Sequence, residues 1–270
     1  NNTDIDNVYL SRNWWYGETN WFEATDETTA VAEINRDFGI IHQMGFNAIR
    51  TAGHAPGMEL NTSSPSDYIC NQPSTDLSFR AYYRNGPWGA TCFTISTSSG
   101  NDAVRNKYFE SVKTILERAH DNGLKVFLDC GYGRVFHDNN FSSYTSYLEL
   151  LAEYISTLDD DLQKTLVAYV IDEEPFNSES TPEYTKLKIC ERISDAYDIV
   201  KLKDPHHLIT IGNGDGASNT AYWDDGILKI DFISPHLYPF HERLLETDSH
   251  LAVERVMNDL FWLKNNCPLP

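Results

Sequence analysis

The chain has 270 residues, of which 41% are hydrophobic and 13% aromatic, enough apolar material for a sizeable core and unlike a disordered chain. Its 40 acidic and 21 basic side chains give a net charge of −19, which repels phosphate backbones and argues against nucleic acid as a partner. No apolar run in the sequence approaches the roughly 20 residues that a membrane span needs, so we predict no membrane insertion.

Predicted strands and helices alternate along the first half of the chain. In order, they are a strand at 8–10, a helix at about 27–44, a strand at 47–50, a helix at about 102–122 and a strand at 124–129. The helices are assigned because their apolar residues recur every three or four positions. Gly45 and Gly123 follow them, as glycine follows many helix ends. The polar stretch at about 51–100, rich in Ser, Thr, Asn, Pro and Gly, is predicted to be a long loop insertion.

The same alternation continues to the end of the chain. Its elements are a helix at about 144–158, a strand at 166–171, a helix at about 182–202, a strand at 208–211, a short helix at about 220–228, a strand at 232–234 and a helix at about 248–265. The acidic run at 159–161 is predicted to be a solvated turn. Six β-α units with near-continuous apolar strands predict an α/β fold with a parallel sheet buried on both faces. Residues 1–270 form one predicted domain, either a (β/α)₈ barrel or a doubly wound open sheet.

Polar residues stand at or just beyond the carboxyl ends of the predicted strands. They are Arg50, Asp129, Glu174, Asn213, His236 and Tyr238. In a barrel these strand ends converge on the face that carries the active site. Because an isolated buried charge is costly, several such residues on different strands predict one shared polar pocket.

Five cysteines are present, and none forms a Cys-x-x-Cys pair, so no zinc site is predicted. Cys70 and Cys92 both lie in the polar stretch at 51–100, which has little apolar material to order it. We predict a disulfide between them, which would stabilise the stretch by about 3 kcal/mol in an oxidising compartment.

Four segments of the chain resemble the clan A glycoside hydrolases, the barrels of the cellulase and mannanase type. They are Gly-Phe-Asn-Ala-Ile-Arg at 45–50, Gly-Leu-Lys-Val-Phe-Leu-Asp at 123–129, Tyr-Val-Ile-Asp-Glu-Glu-Pro at 169–175 and Asp-Phe-Ile-Ser-Pro-His-Leu-Tyr at 231–238. They look like the second, third, fourth and sixth strands of that barrel, in the correct order.

The resemblance implies a (β/α)₈ barrel that hydrolyses a β-linked glycan by a retaining double displacement. Glu174 would be the general acid/base. Together with the strand-end residues and an aromatic side chain that could stack on a sugar ring, the predicted sugar-binding residues are Arg50, Trp15, Asp129, Glu173, Asn213, His236 and Tyr238. The resemblance implies a carbohydrate substrate, no need for a metal or organic cofactor, and a secreted, periplasmic or cell-surface protein.

The chain also departs from the family pattern. Glu173 stands where the family has an Asn that holds the sugar 2-hydroxyl, and Asp129 is followed by Cys130 and Gly131 in place of the family's Asp-x-His. The family nucleophile is a Glu at the end of strand seven, where this sequence stops. We therefore expect a barrel that is incomplete at the C-terminus, needs a completing segment or chain, and is inactive alone; Glu242 is the only nearby substitute.

Two other functions fit the residues. The first is a sugar-binding barrel that has lost catalysis, which the departure at Glu173 and the missing nucleophile both favour. The second is an unrelated α/β enzyme built on a doubly wound sheet.

Overall fold

In the computed structural model the described residues are 27–51, 77–82, 90–98, 100, 102–131, 141–173, 175, 186–213, 226–237 and 249–267. The strand predicted at 8–10 lies outside them, as do Trp15, Glu174 and Tyr238.

The described part of the chain contains six helices and seven strands. The helices are α1 (Glu27–Gln43), α2 (Ala103–Asp121), α3 (Phe141–Ser156), α4 (Asp160–Gln163), α5 (Lys186–Lys203) and α6 (Ser249–Asn266). The strands are β1 (Ala48–Arg50), β2 (Leu77–Tyr82), β3 (Ala90–Ile95), β4 (Lys125–Asp129), β5 (Leu166–Glu173), β6 (Leu208–Asn213) and β7 (Ser234–Pro235). Most of the short helix predicted at 220–228 lies outside the described residues, and residues 226 and 227 form a turn.

Glycine ends α1 and α2, as the sequence predicts. Gly45 has a φ of +91° and Gly123 a φ of +69°, in the left-handed region that other residues rarely adopt. The Gly45 N–H donates to the His42 carbonyl at 2.9 Å, which satisfies one of the last carbonyls of α1. Both glycines thus turn the chain directly from a helix into the next strand of the sheet.

The acidic run at 159–161 is a helix start, so the prediction of a turn is wrong there. Asp159 is the N-cap of α4, and its side chain accepts the Leu162 N–H at 3.1 Å. Asp160 and Asp161 occupy the first turn, where the helix dipole favours negative charge. The run therefore stabilises a short helix that leads into β5.

The long insertion at about 51–100 contains a hairpin, which the prediction of a loop missed. β2 and β3 pair in antiparallel register, with Leu77 opposite Ile95 and Tyr82 opposite Ala90. The hairpin forms a two-stranded sheet of its own. Its apolar positions 77, 79 and 81 alternate with polar ones, which is the period of a strand, but the polar composition of the whole stretch obscures that pattern.

The main sheet has five strands in the order β1-β4-β5-β6-β7, and all four pairings are parallel. Successive parallel strands are therefore neighbours, with no reversal of direction along the sheet. A doubly wound sheet reverses its strand order at a switch point. The described strands thus have the singly wound order of a barrel, and the doubly wound alternative is wrong for them.

The sheet is strongly curled. Four strand spacings of about 4.8 Å would separate β1 from β7 by about 19 Å in a flat sheet. Instead the Arg50 side chain, from the end of β1, reaches His236, just beyond β7, with 2.8 Å between Nη1 and Nε2. The rings of Phe127 and Phe232 also meet edge to face across the concave side, with centroids 6.2 Å apart. The sheet is part of a (β/α)₈ barrel, which confirms the predicted fold class.

The core lies between the convex side of this sheet and the helices. Val126 and Leu128 of β4 are buried in it, and α3 packs beside α5. Its largest fully buried side chains are Tyr144, Tyr147, Tyr169, Phe38, Leu116, Leu124 and Leu148. This packed layer fixes the strands and therefore the positions of the polar residues at their carboxyl ends.

Candidate active site

Arg50 and Asp129 form an ion pair at the carboxyl edge of the sheet. They end the neighbouring strands β1 and β4, and Arg50 Nε lies 3.2 Å from Oδ1 and 3.3 Å from Oδ2 of Asp129. The Asp129 side chain is only 1% exposed, whereas that of Arg50 is 35% exposed. A buried carboxylate needs such a partner, because its desolvation is costly. Thr51 holds the strand end in place, since its Oγ1 accepts the Asp129 N–H at 2.9 Å.

His236 completes a three-residue cluster, in which Arg50 is the central member. Arg50 Nη1 lies 2.8 Å from His236 Nε2. A guanidinium has only donors, so His236 Nε2 must accept this hydrogen bond. The cluster links the two outermost strands of the described sheet and joins three of the predicted site residues.

Asp172 lies beside this cluster and is a site residue that the sequence analysis missed. It is fully buried, at 0% exposure, on β5 next to β4. Burial, and then the negative charge of Asp129, raise the pKa of Asp172 well above its usual value. The protonated carboxyl is therefore favoured. An acidic residue at the end of the apolar run 166–171 is the sequence signal that could have found it.

The thiol of Cys130, directly after Asp129, is not a candidate nucleophile. Its side chain is fully buried, and burial followed by the charge of Asp129 raises its pKa well above the usual value. A thiol must form the thiolate to attack, and this environment opposes that step. The position that holds His in the family's Asp-x-His is taken by Gly131, which is buried against Tyr144.

The backbones of Glu173 and Asn213 lie at the same carboxyl edge of the sheet. Glu173 ends β5 and pairs in register with Gly212, and Asn213 ends β6 and pairs with Pro235. Five successive parallel strands thus end in the region where the sequence predicts the site. Buried Pro175 follows β5 after the undescribed Glu174.

Several other predictions fall outside the described residues. Trp15, Glu174, Tyr238 and Glu242 are among them, so their roles stay predictions. The disulfide stays a prediction too, because Cys70 is not described.

Neither a metal cluster nor a membrane helix is found in the part of the chain that the structure describes. No group of three or more His, Cys, Asp or Glu side chains is arranged there to hold a metal ion. None of the described helices is both long enough and apolar enough to cross a bilayer.

The fold is similar to that of solved glycoside hydrolases. An endo-1,4-β-mannanase from Eisenia fetida matches with a TM-score of 0.52 and 15% identity, over 87% of this chain and 68% of that one. A GH5_18 protein from Streptomyces cattleya, in complex with GlcNAc, matches with a TM-score of 0.52 and 12% identity, over 87% of this chain and 50% of that one. No protein-family profile and no curated protein sequence matches the chain.

Fold and strand order together define the described part of the molecule as a partial (β/α)₈ barrel. The resemblance of four sequence segments to the clan A glycoside hydrolases is thus accompanied by a similarity of fold to an endo-1,4-β-mannanase and a GH5_18 protein. At 12% and 15% identity the similarity establishes the fold. The chain spans one half to about two thirds of the length of these two structures, which are 50% and 68% covered.

Proposed function

We propose that this protein hydrolyses a β-linked glycan with retention of configuration, with Glu174 as its general acid/base. The observation that carries the proposal is the Arg50–Asp129–His236 cluster at the carboxyl edge of a barrel sheet. Barrel enzymes hold their active sites at this edge. Glu174 directly follows β5, whose neighbour β4 ends in Asp129.

The reaction requires two carboxyl groups about 5–5.5 Å apart, one on each side of the glycosidic bond. One donates its proton to the leaving oxygen while the other attacks the anomeric carbon, and the first then deprotonates the water that releases the sugar. An acid for this step must keep its proton near neutral pH. Burial and the charge of Asp129 already favour the protonated form of Asp172. Glu174, two residues further along the sequence, would have to keep its proton near neutral pH as well.

The remaining predicted residues have proposed roles in binding. His236, which lies beside Arg50 at the carboxyl edge of the sheet, would bind a sugar hydroxyl. Trp15 would stack on a sugar ring, and Glu173, Asn213 and Tyr238 would bind sugar hydroxyls. Asp129 would act through Arg50, which it holds in position. The protein would be secreted, periplasmic or on the cell surface, where such glycans occur.

The second carboxylate is proposed to come from a further segment or from another chain. A closed barrel has eight parallel strands, and the described sheet has five. In the family the nucleophile ends the seventh strand. Arg50 and Tyr238 would orient it.

A sugar-binding barrel without catalysis is the second candidate. The chain places Glu173 at the end of β5, where the family has the Asn that holds the sugar 2-hydroxyl. A carboxylate in that position changes the hydrogen bonding that the reacting sugar needs, so binding would persist and turnover would be lost.

The test is a Glu174→Gln variant of the full-length protein, with Glu191→Gln as the matched control on the exposed side of α5. β-1,4-linked manno- and gluco-oligosaccharides serve as natural substrates, and aryl glycosides with good leaving groups serve as activated ones. We expect Glu174→Gln to slow natural substrates by about 10²–10⁴-fold and activated ones far less. The product anomer, followed by NMR, reports retention.

Each result separates the candidates. Unchanged rates on natural oligosaccharides would contradict the role of Glu174. Oligosaccharide binding by the unaltered protein without any turnover would favour the sugar-binding barrel. Inverted product would contradict the double displacement.

A further inference from the structure

Arg105 occupies a position in α2 that its charge does not favour. It lies in the first turn, and its side chain is buried, with only 7% of the residue exposed. The N-terminus of a helix carries a partial positive charge, so a cation there is unfavourable. The Arg105 N–H donates to Oδ1 of the N-cap residue Asp102 at 2.7 Å, which partly offsets the repulsion. Residues that break a local rule are often functional.

The guanidinium of Arg105 binds three carbonyl groups of one short segment. It donates to Ser96 O at 2.8 Å, to Ser98 O at 3.0 Å and to Gly100 O. A buried guanidinium is costly unless its donors are satisfied, and its fixed fork suits several acceptors at once. Arg105 therefore holds Ser96, Ser98 and Gly100, which lie in the connection between β3 and α2.

This connection lies at the same edge of the sheet as the candidate site. α2 ends at Asp121, just before β4 begins at Lys125 on the amino edge. A helix of 19 residues is about 28 Å long, so the start of α2 lies at the opposite, carboxyl edge. The hairpin contacts both helices that adjoin β4 in sequence, because β3 touches α2 and β2 touches α3. The hairpin therefore lies against the two helices that precede and follow β4, the strand that ends in Asp129.

We propose that the β2–β3 hairpin forms one wall of the glycan-binding cleft and that Arg105 is the positioning residue that holds it there. The inference rests on the proposed function and makes it more specific. In this proposal the wall contacts sugar units beyond the one that reacts. The substrate is therefore an oligosaccharide or polysaccharide chain.

The experiment compares Arg105→Gln and Arg105→Lys with the control Lys113→Gln in the full-length protein. Lys113 lies on the same helix, has a half-exposed side chain and pairs with Glu117 at 2.8 Å. Limited proteolysis, with the cleavage sites mapped by mass spectrometry, measures how fast the protein is cleaved within residues 77–100 and does not depend on activity. Hydrolysis is measured on β-1,4-linked oligosaccharides and on short aryl glycosides.

We expect Arg105→Gln to speed cleavage within 77–100 and to raise KM for oligosaccharides by about tenfold, with kcat and the aryl glycosides nearly unchanged. Arg105→Lys keeps the positive charge but lacks the planar guanidinium that donates to three carbonyls at once, so it should give the same changes to a smaller degree. It also provides the test if Arg105→Gln does not fold. Lys113→Gln should match the unaltered protein in every measurement.

Cleavage within 77–100 that is as slow as in the control would refute the role of Arg105. Faster cleavage with equal losses on long and short substrates would refute the cleft wall. If the unaltered protein hydrolyses no glycan, the proposed function fails. Calorimetry then measures the affinity of the unaltered protein and of Arg105→Gln for the same oligosaccharides, which tests whether the hairpin contributes to binding. An affinity that Arg105→Gln leaves unchanged would then overturn the cleft wall.

Discussion

Replacing His207 with alanine is expected to destabilise the protein by about 3 kcal/mol. His207 Nδ1 lies 2.5 Å from Asp204 Oδ2, and its Nε2 lies 2.7 Å from the Gln163 carbonyl oxygen. Both ring nitrogens therefore face acceptors, and both must donate, so the ring is an imidazolium. The Tyr169 hydroxyl donates to the same Asp204 oxygen at 2.7 Å. This buried network joins the segments that precede β5 and β6, at the edge opposite the candidate site.

The magnitude follows from what the substitution removes and what it leaves. Each charge-assisted hydrogen bond contributes about 1.5–3 kcal/mol, and removing one partner of a buried ion pair costs about 3–5 kcal/mol. Asp204 keeps the Tyr169 hydroxyl and the backbone N–H groups of His206 and His207, which places the loss near the lower limit. At about 2–4 °C per kcal/mol, the Tm should fall by about 6–12 °C.

The effect should depend on pH with a definite sign. Burial alone lowers the pKa of His207, but its hydrogen bonds to Asp204 and to the Gln163 carbonyl outweigh burial and raise it. This stabilisation is fully present below the unfolded pKa of about 6.5 and is lost as the pH rises through the raised value. Burial alone raises the pKa of Asp204, but the hydrogen bonds from His207 and Tyr169 lower it, so its contribution is lost only in acid. The difference between the two proteins should be largest at about pH 4–6.5.

The assay is thermal unfolding followed by circular dichroism from pH 4 to 9. His206→Ala is the matched control, because His206 is the next residue and is exposed. Its Tm should stay within about 2 °C of the unaltered protein, as for most surface substitutions. The reasoning is refuted if His207→Ala costs no more than His206→Ala, or if the difference in Tm does not shrink as the pH rises above 7.

Two further substitutions test the packing around the candidate site. Burial and the charge of Asp129 raise the pKa of Asp172 in the folded protein. In the unfolded chain this carboxyl ionises above about pH 4, so it makes folding less favourable as the pH rises, and Asp172→Asn removes this effect. The variant should therefore gain stability relative to the unaltered protein as the pH rises from 4 to 7, measured by urea unfolding. If the difference in unfolding free energy between the two proteins does not change with pH, the pKa of Asp172 is not raised. Gly131→Ala would place a methyl group 2.9 Å from the Tyr144 hydroxyl and 3.2 Å from a backbone carbonyl, so it should cost about 1–3 kcal/mol, and an unchanged midpoint in the same unfolding assay would contradict that contact.

Local sequence patterns predict most of the helices and parallel strands closely. The predicted helix at 102–122 is α2, Ala103–Asp121, and the predicted strand at 124–129 is β4, Lys125–Asp129. These elements are predictable because apolar periodicity and glycine at helix ends act within a few residues. The β2–β3 hairpin was missed because its alternation is short and lies within a stretch of mostly polar residues.

The sequence by itself located the polar residues at the strand ends to within about two residues, because an apolar run marks the buried part of a strand. It did not determine which of them meet. Arg50 and His236 are 186 positions apart and touch only because the sheet curls, and curling depends on the packing of every strand and helix. The same holds for protonation. Asp172 favours its protonated form because it is buried near the charge of Asp129, and His207 favours its protonated form because an acceptor faces each of its ring nitrogens. Only the tertiary structure decides these properties, since burial and charge at each site come from residues far away in sequence.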